Sequence, residues 1–252
     1  MLRPRIIPCL LIQNGGLVKT RQFADPTYVG DPLNAVRIFN EKEVDELLVL
    51  DIDATVKSFE PNYALIEQLA SECRMPLAYG GGVKTVEQIE RIIGLGVEKV
   101  AISSAAILDP ALITKSASKV GSQSITVVAD VRADNNGGYR VFTNNGLNET
   151  TLQASEFASI VSDAGAGEFL VNNIDRDGMG SGYDLELLAQ CRHACNLPIT
   201  VLGGAGSLQD ISLLIKSYPI IGAAAGSLFV FKGKYRAVLI NYPNRLKKER
   251  LL

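Results

Sequence analysis

Leu47-Leu48-Val49-Leu50-Asp51-Ile52-Asp53, with Gly80-Gly81-Gly82 further on, decides the fold, because the chain repeats it. Asn172-Asn173-Ile174-Asp175 echoes Leu50-Asp51-Ile52-Asp53, and Gly203-Gly204-Ala205-Gly206 echoes the glycine run. Ala225-Gly226-Ser227-Leu228 repeats Ile102-Ser103-Ser104-Ala105 more loosely. All three pairs keep an offset of about 122 residues, close to half of the 252-residue chain. Three matches in order at one offset point to two fused halves, about 1–122 and 123–252.

Outward from these stretches, short β-branched runs alternate with segments of helical periodicity. Eight strands are expected to begin near Ile6, Leu47, Pro76, Glu98, Ser124, Gly167, Pro198 and Pro219. Between Thr85 and Leu95, the side chains Val86, Ile89, Ile92 and Ile93 share one helical face. Most strand runs are apolar enough to be buried on both faces, as parallel strands are. No Pro/Ser-rich linker or charge block divides the chain. The pattern predicts an α/β fold: a single (β/α)₈ TIM barrel over 1–252 built of two half-barrels, with a doubly wound sheet as the alternative.

Composition excludes several classes. A formal net charge of −2 gives no footprint for nucleic acid or an anionic membrane. No apolar run is long enough to span a bilayer. The N-terminal Met1-Leu2-Arg3-Pro4-Arg5 leads into Ile6–Ile12 without a small-residue cleavage site, so a cytoplasmic protein is expected. Cys9, Cys73, Cys191 and Cys195 are scattered, and only His193 lies near the last two. Free thiols are expected, with no metal and no cofactor.

In such barrels the site lies at the C-terminal strand ends. Both glycine clusters fall there, where backbone N–H groups and a following helix can cradle an anion. Each cluster is followed about 22 residues on by a serine-bearing strand end, Ser103-Ser104 or Ser227 beside Gly226. Two cradles across the mouth suit a small substrate with two phosphates. Tight βα turns alone would explain one such cluster, but less readily two.

Asp130 ends the apolar run Ile125–Ala129, where a partly desolvated carboxyl suits general acid/base work. A cap or a salt bridge to Arg132 is the plainer role. Asp51 stands at the corresponding end of the second strand, in a catalytic or an orienting role. Lys19 supplies a cation to the first βα loop. The long loop 133–148 carries a hairpin-like Asn-Gly-Gly turn, and Asp175–Gly182 forms a second rim element.

Arg5-Ile6-Ile7-Pro8-Cys9-Leu10, Gly80-Gly81-Gly82, Gly121-Ser122-Gln123, Asp175-Arg176-Asp177-Gly178 and Gly203-Gly204-Ala205-Gly206 together resemble the cyclase subunit of imidazole glycerol phosphate synthase (HisF) over essentially the whole chain. The resemblance implies a barrel paired with a glutaminase subunit (HisH-like). Ammonia from the glutaminase would pass up the barrel and react with a bis-phosphorylated ribulosyl nucleotide, forming an imidazole of histidine biosynthesis. It implies phosphate contacts from Gly82, Ser104, Gly178, Gly204 and Ser227, beside which Lys19, Ser103, Asp177, Gly203 and Gly226 are expected as further substrate or phosphate contacts. It also implies an ammonia gate of Arg5, Glu46, Lys99 and Glu168 at the opposite end. A ring of alternating charges could equally just plug the barrel bottom.

One departure bears on the chemistry. The family's acid/base pair is two aspartates, ending the first and fifth strands. Asp130 is the second, but Leu11 holds the first position, and Ser103 replaces an asparagine the family carries. Losing a positioned acid or base typically costs roughly 10²–10⁴-fold in rate. The stretch Gly226–Pro243 looks like paralogues from bacterial surface-polysaccharide (lipopolysaccharide O-antigen) pathways. Those hand ammonia to a sugar amidotransferase that makes an acetamidino sugar. The readings are therefore an ammonia-passing subunit for sugar amidination, a cyclase in which Asp51 substitutes for the missing carboxylate, or an inactive scaffold that activates a glutaminase.

Overall fold

Eight parallel strands close on themselves in the computed structural model, which describes residues 3–251. They are β1 (Arg5–Gln13), β2 (Leu47–Asp51), β3 (Leu77–Gly80), β4 (Lys99–Ile102), β5 (Ile125–Ala133), β6 (Glu168–Asn173), β7 (Ile199–Leu202) and β8 (Gly222–Ala225). Each pairs in parallel with the next, and β8 pairs with β1 to seal the barrel. The closed (β/α)₈ barrel is the predicted architecture, and the doubly wound alternative is excluded.

Strand alternation sorts the apolar residues into two cores. Ile7, Cys9, Leu48, Ala78, Ala101, Val128, Leu170, Leu202 and Ala224 fill the barrel interior, with Leu11 and Leu50 packed on them. Side chains of opposite parity, such as Val49, Val127 and Phe169, join the larger core beneath the helices. The interior is thus a packed apolar column, as the period of two requires.

The outer layer holds α1 (Pro32–Glu41), α2 (Tyr63–Glu72), α3 (Val86–Gly94), α4 (Ala111–Val120), α5 (Ala154–Asp163), α6 (Leu185–Ala194) and α7 (Leu208–Ser217). Thr85 and Gln88 form a capping box on α3, and Ser207 and Asp210 form one at the matching place on α7. Ile89 and Ile92 of the expected helical face are fully buried.

Seven of the expected strand starts lie within one residue of the observed ones. The last lies three residues further on, at Gly222, because Ile220 is turned to solvent and the ladder begins only where Gly222 meets Arg5. The eighth βα unit also departs from expectation. After the short helix Ser227–Val230, a ribbon of Phe231–Lys232 and Ala237–Val238 replaces a packed helix. Gly233 at φ +74° and Arg236 at φ +50° turn the chain there, which a helix could not accommodate. No helix among the described residues is long and apolar enough to cross a membrane. Cys9, Cys191 and Cys195 are buried free thiols, and Cys73 is a half-buried one.

Candidate functional site

The strand ends open into a cavity of about 500 Å³. Lys19, Asp51, Gly82, Ser103, Ser104, Asp130, Asp177, Gly226 and Ser227 all line it. Gly82 lies at φ +71°, tight against the Phe59 carbonyl and the Ala54 methyl, so a side chain there would not fit. The Ser103 hydroxyl is buried without a hydrogen-bond partner. Such an orphan facing a cavity suits a ligand that carries hydrogen-bonding groups. Ser104 is already engaged, accepting the Asn144 N–H at 3.1 Å.

The floor of the cavity is asymmetric. Leu11 pairs in register with Leu50, and Asp130 pairs with Asn172, two residues set at matching places in the two halves. Leu11 and Asp130 are therefore geometric counterparts. One half offers two leucines, whereas the other offers a carboxyl accepting the Asn172 amide at 2.9 Å. Burial pushes the Asp130 carboxyl up to about 6; the Asn172 hydrogen bond opposes this and the Asp177 charge adds to it. Arg132, the salt-bridge partner considered from sequence, lies instead 3.9 Å from Asp175.

Asp51 stands one residue above this level, opposite Ile12. Its Oδ1 accepts the N–H groups of Asp53 and Ala54, at 3.0 and 3.1 Å, and so caps the short helix Ile52–Val56. Burial raises its carboxyl all the same, against those two hydrogen bonds. The register therefore corrects the sequence-based placement: Leu50, not Asp51, is the second-strand residue level with Leu11, the counterpart of Asp130.

Two hairpins wall the mouth. One follows β5: the Asn136-Gly137-Gly138 turn folds β5 back onto Tyr139–Thr143, which pairs in turn with Asn148–Gln153. The other, Gly16–Arg21 with Ala24–Gly30, was not foreseen. Its turn sets Gln22 and Phe23 at φ +52° and +64°, without the Asn-Gly pair that usually marks such a turn. Asp177 holds it in place, accepting from the Thr20 hydroxyl at 2.6 Å and the Phe23 N–H at 3.3 Å. Burial raises the Asp177 carboxyl, against these bonds and the Lys19 charge. Lys19 itself is only 4% exposed and reaches the Cys9 carbonyl, and burial lowers its pKa.

The second glycine cluster is placed differently from the first. Gly203 and Gly204 do not line the cavity. The Gly182 N–H donates to the Gly204 carbonyl at 2.8 Å, and Arg176 holds the Gly182 and Tyr183 carbonyls at 3.1 and 3.2 Å. Gly178, packed on the Thr20–Arg21 backbone, is likewise outside it. The rim segment thus covers this cradle, and of the second half's expected phosphate-cradling residues Gly226 and Ser227 reach the cavity.

At the opposite end, Arg5, Glu46, Lys99 and Glu168 meet in one network. Arg5 bridges Glu46 and Glu168, at 2.6 Å for the latter, and Lys99 bridges the same two carboxylates at 2.9 and 2.8 Å. Thr200, which the sequence did not single out, donates its hydroxyl to Glu168 at 2.5 Å. Burial works to raise the Glu168 carboxyl but is outweighed by Arg5 and Lys99, so its pKa is lowered. Thr126, paired in register with Glu168, carries a buried hydroxyl without a partner just inside this ring.

A family model described as a histidine biosynthesis protein matches residues 5–236. A Leptospira interrogans protein, provisionally named imidazole glycerol phosphate synthase subunit HisF, is 55% identical over the whole chain and 99% of its own length. The chain belongs to the HisF family. A Pseudomonas aeruginosa member, provisionally named subunit hisF2, is 51% identical over 97% of each chain. The Alkaliphilus metalliredigens imidazole glycerol phosphate synthase subunit HisF is 40% identical over 232 residues, 91% of each. This chain is a HisF-like synthase subunit by descent.

The Asp130 carboxyl gives this HisF-family mouth a testable pH response. Its folded pKa of about 6 lies above the ordinary carboxyl value, so the folded state holds its proton more tightly. Stability contributed by that proton is present below about pH 4 and lost as the pH rises through 6. Asp130→Asn should therefore stabilise the protein at pH 8, by on the order of 2 kcal/mol, and hardly at all at pH 4. Urea unfolding at the two pH values measures this.

Proposed function

We propose that this chain receives ammonia from a glutaminase at the Arg5–Glu46–Lys99–Glu168 end and passes it up the barrel to the mouth. There it leaves for a sugar amidotransferase that forms an acetamidino group in surface-polysaccharide synthesis. The observation that carries this reading is the leucine floor. Leu11 stands at the counterpart of Asp130, so proton transfer from both sides of a bound nucleotide is not available. Conduction needs only the charged ring, the apolar interior and an exit. Support also comes from the relatives at 51–55% identity over nearly the whole chain, against 40% for the Alkaliphilus subunit.

The retained anion-cradling features, Gly82, Ser103, Ser104, Gly226 and Ser227, fit a phosphorylated small molecule at the mouth. Lys19 and Asp177 stand between its two sides, and the covered Gly178, Gly203 and Gly204 would join once the rim segment moves. The two halves, about 1–122 and 123–252, derive in this reading from one duplicated half-barrel, which the matched capping boxes support.

The alternative reading is a working cyclase with Asp130 and Asp51 as its acid/base pair. The raised, cavity-lining Asp51 carboxyl favours it, and its capping bonds count against it.

The test is assembly. Mixed with a HisH-type glutaminase from its source genome, the chain should form a one-to-one complex and raise glutamine hydrolysis. Absence of binding to every such glutaminase would overturn the proposal.

A further inference from the structure

The family model stops short of the last stretch of the chain. The family match stops at residue 236, and the Alkaliphilus and Lactiplantibacillus subunits align over 232 residues, a span of the same length. The relatives at 51–56% identity align over 244 to 253 positions. The segment after 236 thus lies beyond the stretch that the family model matches and within the full-length match to the Leptospira relatives.

That segment is latched beside the charged ring. It descends the barrel wall, with the Leu239 and Asn241 N–H groups donating to the Val230 and Phe229 carbonyls at 2.8 and 2.9 Å. Tyr242 then packs on Phe229, ring centres 5.3 Å apart, and donates its hydroxyl to the Ile6 carbonyl at 2.9 Å. Asp45 accepts the Ile6 N–H at 3.0 Å and the Lys248 ammonium at 2.8 Å. Ile6 and Asp45 adjoin Arg5 and Glu46 in sequence, so the last helix, Arg245–Glu249, is keyed to the backbone of the ring.

Its outer surface is unfilled. A groove of about 270 Å³ opens there, lined by the cations Arg3, Lys42, Arg245 and Lys248 and by the carboxylates Glu43, Asp45 and Glu249. Leu246 is 67% exposed. Lys248 takes up Asp45, and Arg245 takes up Glu249 at 3.0 Å. Among the described residues, Lys42, Lys247 and Arg250 have no carboxylate partner. An exposed leucine flanked on its own helix by the unpaired Lys247 and Arg250 complements an apolar patch rimmed by acidic side chains.

We propose that this C-terminal module is the surface by which the barrel selects its own glutaminase, through an acid-rimmed apolar patch on that subunit. The inference rests on the reading that a glutaminase docks at the ring. The module is continuous with the ring and lies beyond the stretch that the family model matches, which contains the ring, so it can discriminate where the ring itself does not. A second glutaminase in the same cell, shaped for a barrel with a different tail, would meet unpaired cations and an open groove.

The test uses the full chain and the combined variant Leu246→Glu, Lys247→Glu, Arg250→Glu, with thermal unfolding as a control. A second variant, Lys42→Glu, alters the groove without touching the tail. Calorimetric titration against each HisH-type glutaminase of the source genome gives the affinities. The expected result is that one glutaminase binds the unaltered chain most tightly, and that the combined variant weakens this one at least tenfold. Lys42→Glu should weaken it in the same direction, and the salt dependence should flatten for both. Unchanged affinity in both variants overturns the module's role and leaves the ammonia reading standing. Equal weakening for every glutaminase overturns selection. No binding by the unaltered chain overturns both.

Discussion

Replacing Glu168 with alanine is expected to lower the stability of the barrel by about 3 kcal/mol or more. Glu168 is 5% exposed, lies between Arg5 and Lys99, and accepts the Thr200 hydroxyl as well. Its removal leaves two cations facing Glu46 alone. The cost comes from the charge left uncompensated, more than from the attraction lost. The melting temperature should fall by roughly 10 °C at neutral pH. Glu168→Gln keeps an acceptor for Thr200 and should lose less of the hydrogen bonding while losing the same charge. The sign with pH follows from the lowered carboxyl: the native contribution of Glu168 is present at neutral pH and is lost as the pH falls through its depressed folded value. The difference between wild type and Glu168→Ala should therefore narrow in acid. A variant that melts with the wild type at pH 7 would mean that the ring is a solvated surface feature.

The second large effect concerns the floor. Supplied with the bis-phosphorylated ribulosyl nucleotide and ammonium salts, the wild-type chain should form imidazole product roughly 10²–10⁴-fold more slowly than a HisF subunit with both aspartates. Leu11→Asp restores a carboxyl at the counterpart of Asp130 and should recover part of that rate. The recovery will be partial because Leu50 and the interior column disfavour a charge at that level. Asp130→Asn should have little effect in the wild type and a large one in the Leu11→Asp background, since acid and base act as a unit. Wild-type turnover already at the level of a two-aspartate subunit would instead favour the Asp51 alternative.

The barrel was legible because its signals are local and repeated. The apolar runs at β2, β5 and β6 and the helical stripe of α3 each state their own period, and the 122-residue echo orders them. The ribbon of the eighth unit was not legible, because Gly233 and Arg236 impose turns whose meaning depends on the tertiary path. The hairpin at Gly16–Gly30 was invisible for a different reason. Gln22 and Phe23 take left-handed conformations that neither residue favours, and they do so because Asp177, far away in sequence, accepts the Thr20 hydroxyl and the Phe23 N–H.

The site was legible at the level of residue type and less so at the level of position. Asp130, Ser103, Ser104 and Ser227 reach one cavity as expected. Gly203 and Gly204 do not, since the Arg176–Gly182 contact that covers them is a matter of packing with no mark in the sequence. Asn172 and Thr200, which hold Asp130 and Glu168, are ordinary strand residues until register brings them opposite a carboxylate.

The most direct test of ammonia passage follows a label. The complex with its glutaminase is given glutamine carrying ¹⁵N in the side-chain amide, together with the ribulosyl nucleotide, and the products are read by mass spectrometry. The expected result is labelled ammonium released with the nucleotide intact, and labelled acetamidino sugar once the amidotransferase, its N-acetyl sugar and ATP to carry off the amide oxygen as phosphate are added. Label appearing in an imidazole product at the rate of glutamine hydrolysis would contradict the account.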